Sequence, residues 1–208
     1  MEDVFRYIDE HKEEYIKWLQ ELCRQPSVAA QNRGMEETAK MVESYITRIG
    51  GEAKQIETSG YPIVFGNFNS QKSKTLSFYN HYDVQPEDPV ELWDYPPFGA
   101  EIHDGKIYAR GVADNKGNLV ARLAAVDAYL KVKGELPINI KFIIEGEEEI
   151  GSVHLDEFIK NHRDLIEADG NIWEFGYKDA NGKPNVSTGV KGMCYVELFC
   201  LGANTDLH

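Results

Sequence analysis

The stretch INIKFIIEGEEEIGS, residues 138–152, joins an apolar run directly to four glutamates within five positions. Its first half is nearly continuously apolar, which is typical of a central strand with both faces covered. Acidic runs usually belong to solvated surfaces, but this one follows a buried strand and is interrupted by Gly146 and Gly151. The pattern therefore indicates a strand that stops in a functional site.

Length and composition restrict the class of protein. A chain of 208 residues can bury a good core as one domain, or as one domain and the start of another. A hydrophobic content of 42% with 27% charged residues favours a globular protein. No apolar stretch approaches the roughly 20 residues that span a bilayer, so no membrane partner is expected. The net charge of -13 would repel phosphate backbones, which argues against nucleic acid as a partner.

The N-terminus and the cysteines predict a cytoplasmic protein. The opening residues, MEDVFRYIDEHKEEY, lack the basic region and apolar core of a secretory signal. The three cysteines, Cys23, Cys194 and Cys200, are odd in number and show no CxxC spacing. They fit reduced thiols better than a disulfide framework.

Periodicity predicts alternating helices and strands. Apolar residues spaced by three and four predict helices over 4–22 and 35–49, followed by Pro26 and by Gly50 respectively. Further helices are predicted over 115–134 and 154–162. Short apolar runs predict strands at 62–68, 75–79, 105–111, 138–144, 170–175, 186–190 and 194–202. This alternation predicts an α/β fold, a three-layer sandwich with a mixed, largely parallel central sheet.

Three polar clusters follow predicted strands: HYD at 81–83, RGVADNKG at 110–117, and the glutamate run. Loops at the carboxyl ends of strands converge on one crevice in an α/β sheet, so we expect these clusters to meet. His81 and Asp83 project from the same face of an extended chain, where one can bind a metal and the other can orient it. Alone, this pair also fits a histidine capped by an incidental neighbour.

The acidic residues admit two interpretations each. Asp114 precedes a helix and fits either a helix cap or a carboxylate that bridges two cations. Glu148 and Glu149 are adjacent, so one can bind metal while the other accepts a proton from water. Packing several acids together without cations would raise their pKa values and cost stability, which favours a metal.

Glu174 is the next acid at a predicted strand end, between Trp173 and Phe175. It fits a metal ligand or an outward-facing residue of an edge strand. Three other histidines fall in loop or helix-surface contexts and are interpreted as bystanders: His103, His154 and His162.

Taken together, HYDVQP, RGVADNKG and EGEEEIGS resemble the motifs of the zinc metallopeptidase family of carnosine dipeptidase, aminoacylase, acetylornithine deacetylase and succinyl-diaminopimelate desuccinylase. The resemblance covers about residues 10–208 and is closest to the dipeptidase branch, through LWDYPPFGAEIHDGKIYARG and the final DLH. It implies that His81 binds one metal, that Asp83 is a catalytic residue orienting this histidine, and that Asp114 bridges two metals.

Alignment on Ile-Gly-Ser implies that Glu148 is the catalytic base and Glu149 a ligand of the second metal. Glu147 stands where relatives usually have another residue, so a register shifted by one position stays open. Glu174 is implied as the remaining acid ligand of the first metal. Asn115 replaces a second aspartate of many relatives and leaves the bridging position intact. The implied cofactors are two divalent ions, zinc or, in some members, manganese or cobalt.

The implied activity is hydrolysis of the amide bond of dipeptides or short peptides by water that the metal pair activates. Two alternatives stay open: an N-acyl amino acid deacylase of the same family, and a non-catalytic metal-binding module. The resemblance also implies a catalytic portion over 1–188 and the start of an inserted α+β lid domain over 189–208. This lid would form a homodimer, and its His208 would bind substrate. The chain would then be the N-terminal part of a longer enzyme, inactive alone because the last ligand, a distal histidine, is absent.

Overall fold

The computed structural model describes residues 1–174, 176–189, 191–192 and 194–205. The chain divides into two units, Met1–Phe175 and Gly176–His208. The first unit contains every candidate site residue except His208, which lies outside the described residues.

Four of the five α-helices of the described residues form where helices were predicted, whereas the short helix Arg163–Ile166 was not predicted. α1 (Glu2–Arg24) buries Tyr15, Trp18 and Leu22 along one face and ends just before Pro26. α3 (Lys116–Lys133) is capped by Gly134, whose φ of 81° is the left-handed conformation that glycine adopts without strain. The five α-helices of the described residues are α1 (Glu2–Arg24), α2 (Met35–Arg48), α3 (Lys116–Lys133), α4 (Leu155–Asn161) and α5 (Arg163–Ile166). Among the described residues, no helix combines the length and the apolar character that a membrane crossing requires.

Seven strands form two sheets in the described part of the chain. They are β1 (Glu52–Ile56), β2 (Ile63–Phe68), β3 (Thr75–His81), β4 (Glu101–His103), β5 (Lys106–Tyr108), β6 (Asn139–Glu145) and β7 (Gly170–Ile172). The main sheet has the order β1-β2-β6-β3-β7, and β4 pairs with β5 alone. β6 pairs antiparallel with β2 and parallel with β3, which also pairs parallel with β7. The predicted mixed sheet is confirmed.

Helices cover both faces of this sheet, as a three-layer sandwich requires. On one face, Val64 and Phe142 join the core formed with α1, α2 and α3. On the other face, Phe65 and Ile143 pack with Phe158 of α4. Residues next to each other in β2 and β6 thus serve opposite layers, which explains why the apolar run of β6 is nearly continuous.

The structure differs from the predicted strands at several points. β1 was not predicted, because this edge strand has the sequence EAKQI and carries few apolar residues. β4 was also missed, and β7 is shorter than predicted. The described residues within 186–190 and 194–202 form no strand, so the strands predicted there are wrong. A strand needs a hydrogen-bonding partner, and Tyr195 and Phe199 lie exposed. The domain boundary at 188/189 stays a prediction.

The parallel pairing of β3 with β6 sets the position of the candidate site. His81, the last residue of β3, is in register with Glu145, the last residue of β6. Both strands therefore end at the same edge of the sheet, and the segments that follow them leave from one place.

Candidate metal centre

His81 is the centre of the site. Its side chain is fully buried at the end of β3. Nδ1 lies 3.1 Å from the backbone oxygen of Asp83 and 3.3 Å from its carboxylate Oδ1. Nε2 lies 3.0 Å from Asp114 Oδ1 and 3.8 Å from Glu148 Oε2. The imidazole therefore joins residues that are distant in the sequence.

The carboxylate of Asp83 connects this imidazole to the glutamate run at 145–149, hereafter the acidic segment. Asp83 is fully buried. Its Oδ1 accepts a hydrogen bond from the backbone N–H of Glu148 at 3.2 Å, and its Oδ2 accepts one from Glu149 at 3.0 Å. One buried carboxylate thus fixes both the histidine ring and the 3₁₀ turn Glu148–Ile150.

Asp114 lies just before α3, and its side chain is 54% exposed. The residue at the N-cap position of α3 is Asn115, and its side chain makes no capping hydrogen bond. The carboxylate of Asp114 instead meets His81 Nε2. Of the two interpretations of Asp114, the geometry favours the site over the helix cap.

The four glutamates of the acidic segment face different surroundings. Glu145 is buried and accepts hydrogen bonds from the hydroxyls of Tyr79 and Ser152. Glu147 is buried and accepts backbone N–H bonds from Tyr61 at 3.2 Å and His154 at 3.1 Å. These two carboxylates are satisfied by donors of the fold.

Glu148 and Glu149, in contrast, lie partly exposed beside His81. The carboxylate of Glu149 accepts a hydrogen bond from Gln85 Nε2 at 3.0 Å. Gln85 was not singled out from the sequence, although it belongs to the HYDVQP motif.

Candidate ligand atoms assemble into two groups that share His81. One group contains His81, Glu148 and Glu174, and the other contains His81, Asp114 and Glu149. Within each group the ligand atoms lie within 4.8 Å of one another. All five predicted ligand and base residues therefore lie together. Their grouping differs from the assignment implied by the resemblance, which places Glu174 with His81 and Asp114.

The electrostatics of the site reflect this crowding of acids. Burial lowers the pKa of His81, but the carboxylates of Asp83, Glu148 and Asp114 outweigh this effect and raise it to about 9. Burial, together with the charges of nearby carboxylates, raises the pKa of Glu148 to about 7. Burial also raises the pKa of Glu149 and Glu174. Acids in this arrangement repel one another, so a cation between them would relieve the repulsion.

These residues fit divalent metal ions. Imidazole nitrogen and carboxylate oxygen are ligands of zinc, and also suit manganese and cobalt. A ligating histidine commonly donates its second N–H to a carboxylate or a carbonyl, and Asp83 offers both to Nδ1. Nε2 then faces Asp114 and Glu148, where a cation would lie among oxygen ligands.

One further residue that supports the site, Lys116, was not identified from the sequence. Lys116 is fully buried, and its Nζ donates to the backbone oxygens of Leu22 at 2.9 Å and Gln25 at 2.7 Å. Burial lowers its pKa to about 8. It ties the start of α3, just after Asp114, to the end of α1. His154, interpreted as a bystander, contacts the buried Glu147 with its ring Nδ1 at 2.9 Å.

Comparison with known families agrees with this geometry. The family model described as Peptidase family M20/M25/M40 matches residues 77–195. The matched range begins inside β3 and includes the three motifs and every candidate ligand.

Individual relatives carry the same similarity over the whole chain. The Beta-Ala-His dipeptidase of Homo sapiens is 33% identical over 100% of this chain and 45% of its own length. The Cys-Gly metallodipeptidase of Schizosaccharomyces pombe is 29% identical over 100% of this chain and 47% of its own length. The chain thus spans a little under half the length of these curated relatives. The crystal structure of an M20 family metallo-carboxypeptidase from Sulfolobus solfataricus is 42% identical, with a TM-score of 0.78 over 81% of this chain and 39% of that one.

Proposed function

The chain belongs to Peptidase family M20/M25/M40, and we propose that the whole protein is a dinuclear metallo-dipeptidase that hydrolyses the amide bond of dipeptides or short peptides. The observation that carries this proposal is the position of His81. A buried imidazole at the end of β3 meets carboxylates from the loop before α3, from the turn after β6 and from the segment after β7.

In this proposal, His81, Asp114, Glu149 and Glu174 hold two divalent cations, most simply zinc. The exposed carboxylate of Asp114 would serve both cations, because it has two oxygens. Asp83 orients the imidazole and keeps the turn Glu148–Ile150 in place through two backbone N–H groups. When bound, such a metal pair polarises the scissile carbonyl and lowers the pKa of a water molecule.

Glu148 is proposed as the general base. Its Oε2 lies 3.8 Å from His81 Nε2, and so beside the cations that the histidine would hold. It would accept a proton from water as the water oxygen forms a bond to the carbonyl carbon. The C–N bond then breaks, and Glu148 returns this proton to the leaving amine. The products are a free carboxylate and a free amine.

The relatives favour a dipeptidase over a deacylase. Two curated relatives with 33% and 29% identity are named as dipeptidases, whereas a succinyl-diaminopimelate desuccinylase is 27% identical over 90% of this chain.

We also propose a cytoplasmic homodimer. The three free cysteines support a reducing compartment, whereas the dimer rests on the resemblance.

The test is hydrolysis of a panel of dipeptides and N-acyl amino acids by the full-length protein, with zinc, with manganese and with a chelator. We expect turnover of dipeptides that requires metal. Glu148→Gln should lower kcat by about 10²- to 10⁴-fold, the usual contribution of a general base. Glu91→Gln is the matched control, since Glu91 is an exposed glutamate of another 3₁₀ turn, Val90–Leu92.

Undiminished turnover by Glu148→Gln would refute its role as the base. Preference for N-acyl amino acids would identify the deacylase instead. Tight zinc binding by the wild-type protein without hydrolysis of any member of the panel would favour a non-catalytic metal-binding module.

A further inference from the structure

Glu174 lies beyond the end of the strand that carries it toward the site. β7 pairs with β3 only from Gly170 to Ile172, and the last pair joins Ile172 with Phe78. Glu174 follows two residues later, with a φ of 21° that residues other than glycine rarely adopt. Something outside the strand pairing must therefore hold this residue near His81.

The guanidinium of Arg122, on α3, occupies the place where the pairing stops. Its Nη2 donates to the backbone oxygens of Trp173, at 3.2 Å, and of Glu174. Its Nη1 donates to the backbone oxygen of Tyr79 and to Asn80 Oδ1, both at 2.6 Å. One planar group thus connects the end of β3 with the two residues that follow β7.

We propose that Arg122 is a positioning residue that holds Glu174 within cation-binding distance of His81. This inference rests on the metal centre proposed above. Arg122 bonds the backbone oxygen of Glu174 rather than its carboxylate, and one carboxylate oxygen of Glu174 lies within 4.8 Å of ligand atoms of His81 and Glu148. A guanidinium paired with the carboxylate itself would instead compete with a cation.

The same guanidinium reaches the other ligand group through two buried amides. Asn80, which accepts from Arg122, donates from Nδ2 to Asn115 Oδ1, next to Asp114. Arg122 therefore contacts the Glu174 segment directly and the Asp114 loop through Asn80. Both segments supply ligand atoms around His81.

The fork of the guanidinium is what this position requires. Four acceptors in two directions are bonded by two nitrogens of one rigid plane, an arrangement that a lysine ammonium cannot reproduce. The guanidinium also lies over the ring of Phe78, 5.3 Å from its centroid. Stacking of Trp173 on Tyr79, with ring centroids 3.8 Å apart, adds a second restraint on the same segment.

The test compares Arg122→Lys and Arg122→Gln with the wild-type protein in two measurements. Calorimetric titration with zinc measures cation affinity, and hydrogen exchange measures protection of the peptide 170–174. We expect the peptide to exchange at least tenfold faster in both variants, while β6 stays protected. Zinc affinity should fall by about 10- to 100-fold, as for loss of other groups that orient metal ligands.

The control is Arg48→Lys. Arg48 also stacks its guanidinium on aromatic rings, 5.4 Å from Trp18 and 5.3 Å from Tyr45, but it lies on α2. It should change neither measurement.

A double-mutant cycle separates positioning from general support of the fold. Because Arg122 also reaches the Asp114 loop through Asn80, the effect of Arg122→Lys on zinc affinity should be smaller in a Glu174→Gln background than in the wild type, without vanishing.

Three results would overturn the inference. Unchanged exchange of 170–174 in Arg122→Lys would show that the segment does not depend on the guanidinium. Faster exchange with unchanged zinc affinity would make Arg122 purely structural. An undiminished effect in the Glu174→Gln background would show that it acts elsewhere. Failure of the wild-type protein to bind zinc would overturn the proposed metal centre itself, and is observed before any variant is made.

Discussion

The acidic segment has two halves with opposite surroundings. Glu145 and Glu147 are buried, 2% and 5% exposed, and each accepts hydrogen bonds from donors of the fold. Glu148 and Glu149 are partly exposed and face an imidazole and further carboxylates. The number of charges is the same in both halves, so what separates a structural acid from a candidate ligand is the kind of partner.

The close packing around Glu145 and Glu147, the structural half of the segment, reinforces this difference. A Cβ atom at residue 60 would lie 1.9 Å from Glu147 Oε1, and one at residue 146 would lie 2.4 Å from the ring of Tyr82. Glycine at residue 60 lets its backbone lie close to Glu147, and glycine at residue 146 lets the acidic segment lie close to the ring of Tyr82. The donors to Glu147 include backbone N–H groups. The carboxylates of Glu148 and Glu149 instead lie near an imidazole and other carboxylates, among which a cation would fit.

The strongest test of the comparison is Glu149→Gln in the site half of the segment, which consists of Glu148 and Glu149. Removing a ligand should weaken zinc affinity by at least about 100-fold, because even groups that only support a ligand contribute up to this much. This corresponds to about 2.8 kcal/mol of binding free energy. Burial raises the pKa of this carboxyl, so neutralising it should not lower the free energy of unfolding measured with a chelator. Calorimetric titration and urea unfolding provide the two values.

The matched change in the structural half is Glu147→Gln. Glutamine offers one acceptor oxygen where Glu147 uses two, so the N–H of Tyr61 or of His154 loses its partner. An unsatisfied buried donor costs about 1–3 kcal/mol, and we expect the free energy of unfolding to fall by about 2 kcal/mol. Zinc affinity should change less than threefold. If it falls as far as in Glu149→Gln, the two halves are not distinct, and the register shifted by one position regains support.

The sequence predicted the central features of the fold and the site for physical reasons. β6 is buried on both faces, so its sequence is a nearly continuous apolar run. That run predicted a central strand although apolar and polar residues do not alternate in it. Parallel strands place their ends at one edge, so clusters at strand ends were expected to meet, and His81, Asp114 and Glu149 do. These inferences depend on local patterns and on topology that local patterns determine.

Other features depend on partners that the sequence does not reveal. β1 is a polar edge strand, recognisable only from its pairing with β2. The buried state of Glu147 depends on backbone N–H groups of residues 61 and 154. Arg122 resembles any other helical arginine in the sequence, because its acceptors are mainly backbone oxygens. Backbone acceptors leave no residue-type signal, so contacts of this kind cannot be inferred from composition or spacing.

Tyr79→Phe probes the structural half more gently. The substitution removes the hydroxyl that donates to Glu145 and keeps the ring that stacks on Trp173. A hydrogen bond to a charged group contributes about 1.5–3 kcal/mol, and Ser152 still donates to the same oxygen, so we expect a loss of about 1.5 kcal/mol in urea unfolding. Zinc affinity should be unchanged. A loss of zinc binding would place Glu145 among the groups that sustain the site.

The smallest expected effect lies at the boundary of the site half, in Gln85→Ala. Gln85 Nε2 donates at 3.0 Å to both the backbone oxygen and the carboxylate of Glu149, but the residue is exposed, so the bonds compete with water. Such a bond contributes about 0.5–1 kcal/mol, which corresponds to a loss of zinc affinity of about two- to fivefold. Gln55→Ala is the control, since Gln55 makes the same kind of bond, at 2.8 Å, to Glu43 far from His81. An effect confined to Gln85→Ala would show that Glu149 is held ready for a cation by a neutral donor, which leaves the carboxylate its full charge. Equal affinities in both variants would mean that the turn fixed by Asp83 is sufficient to place Glu149.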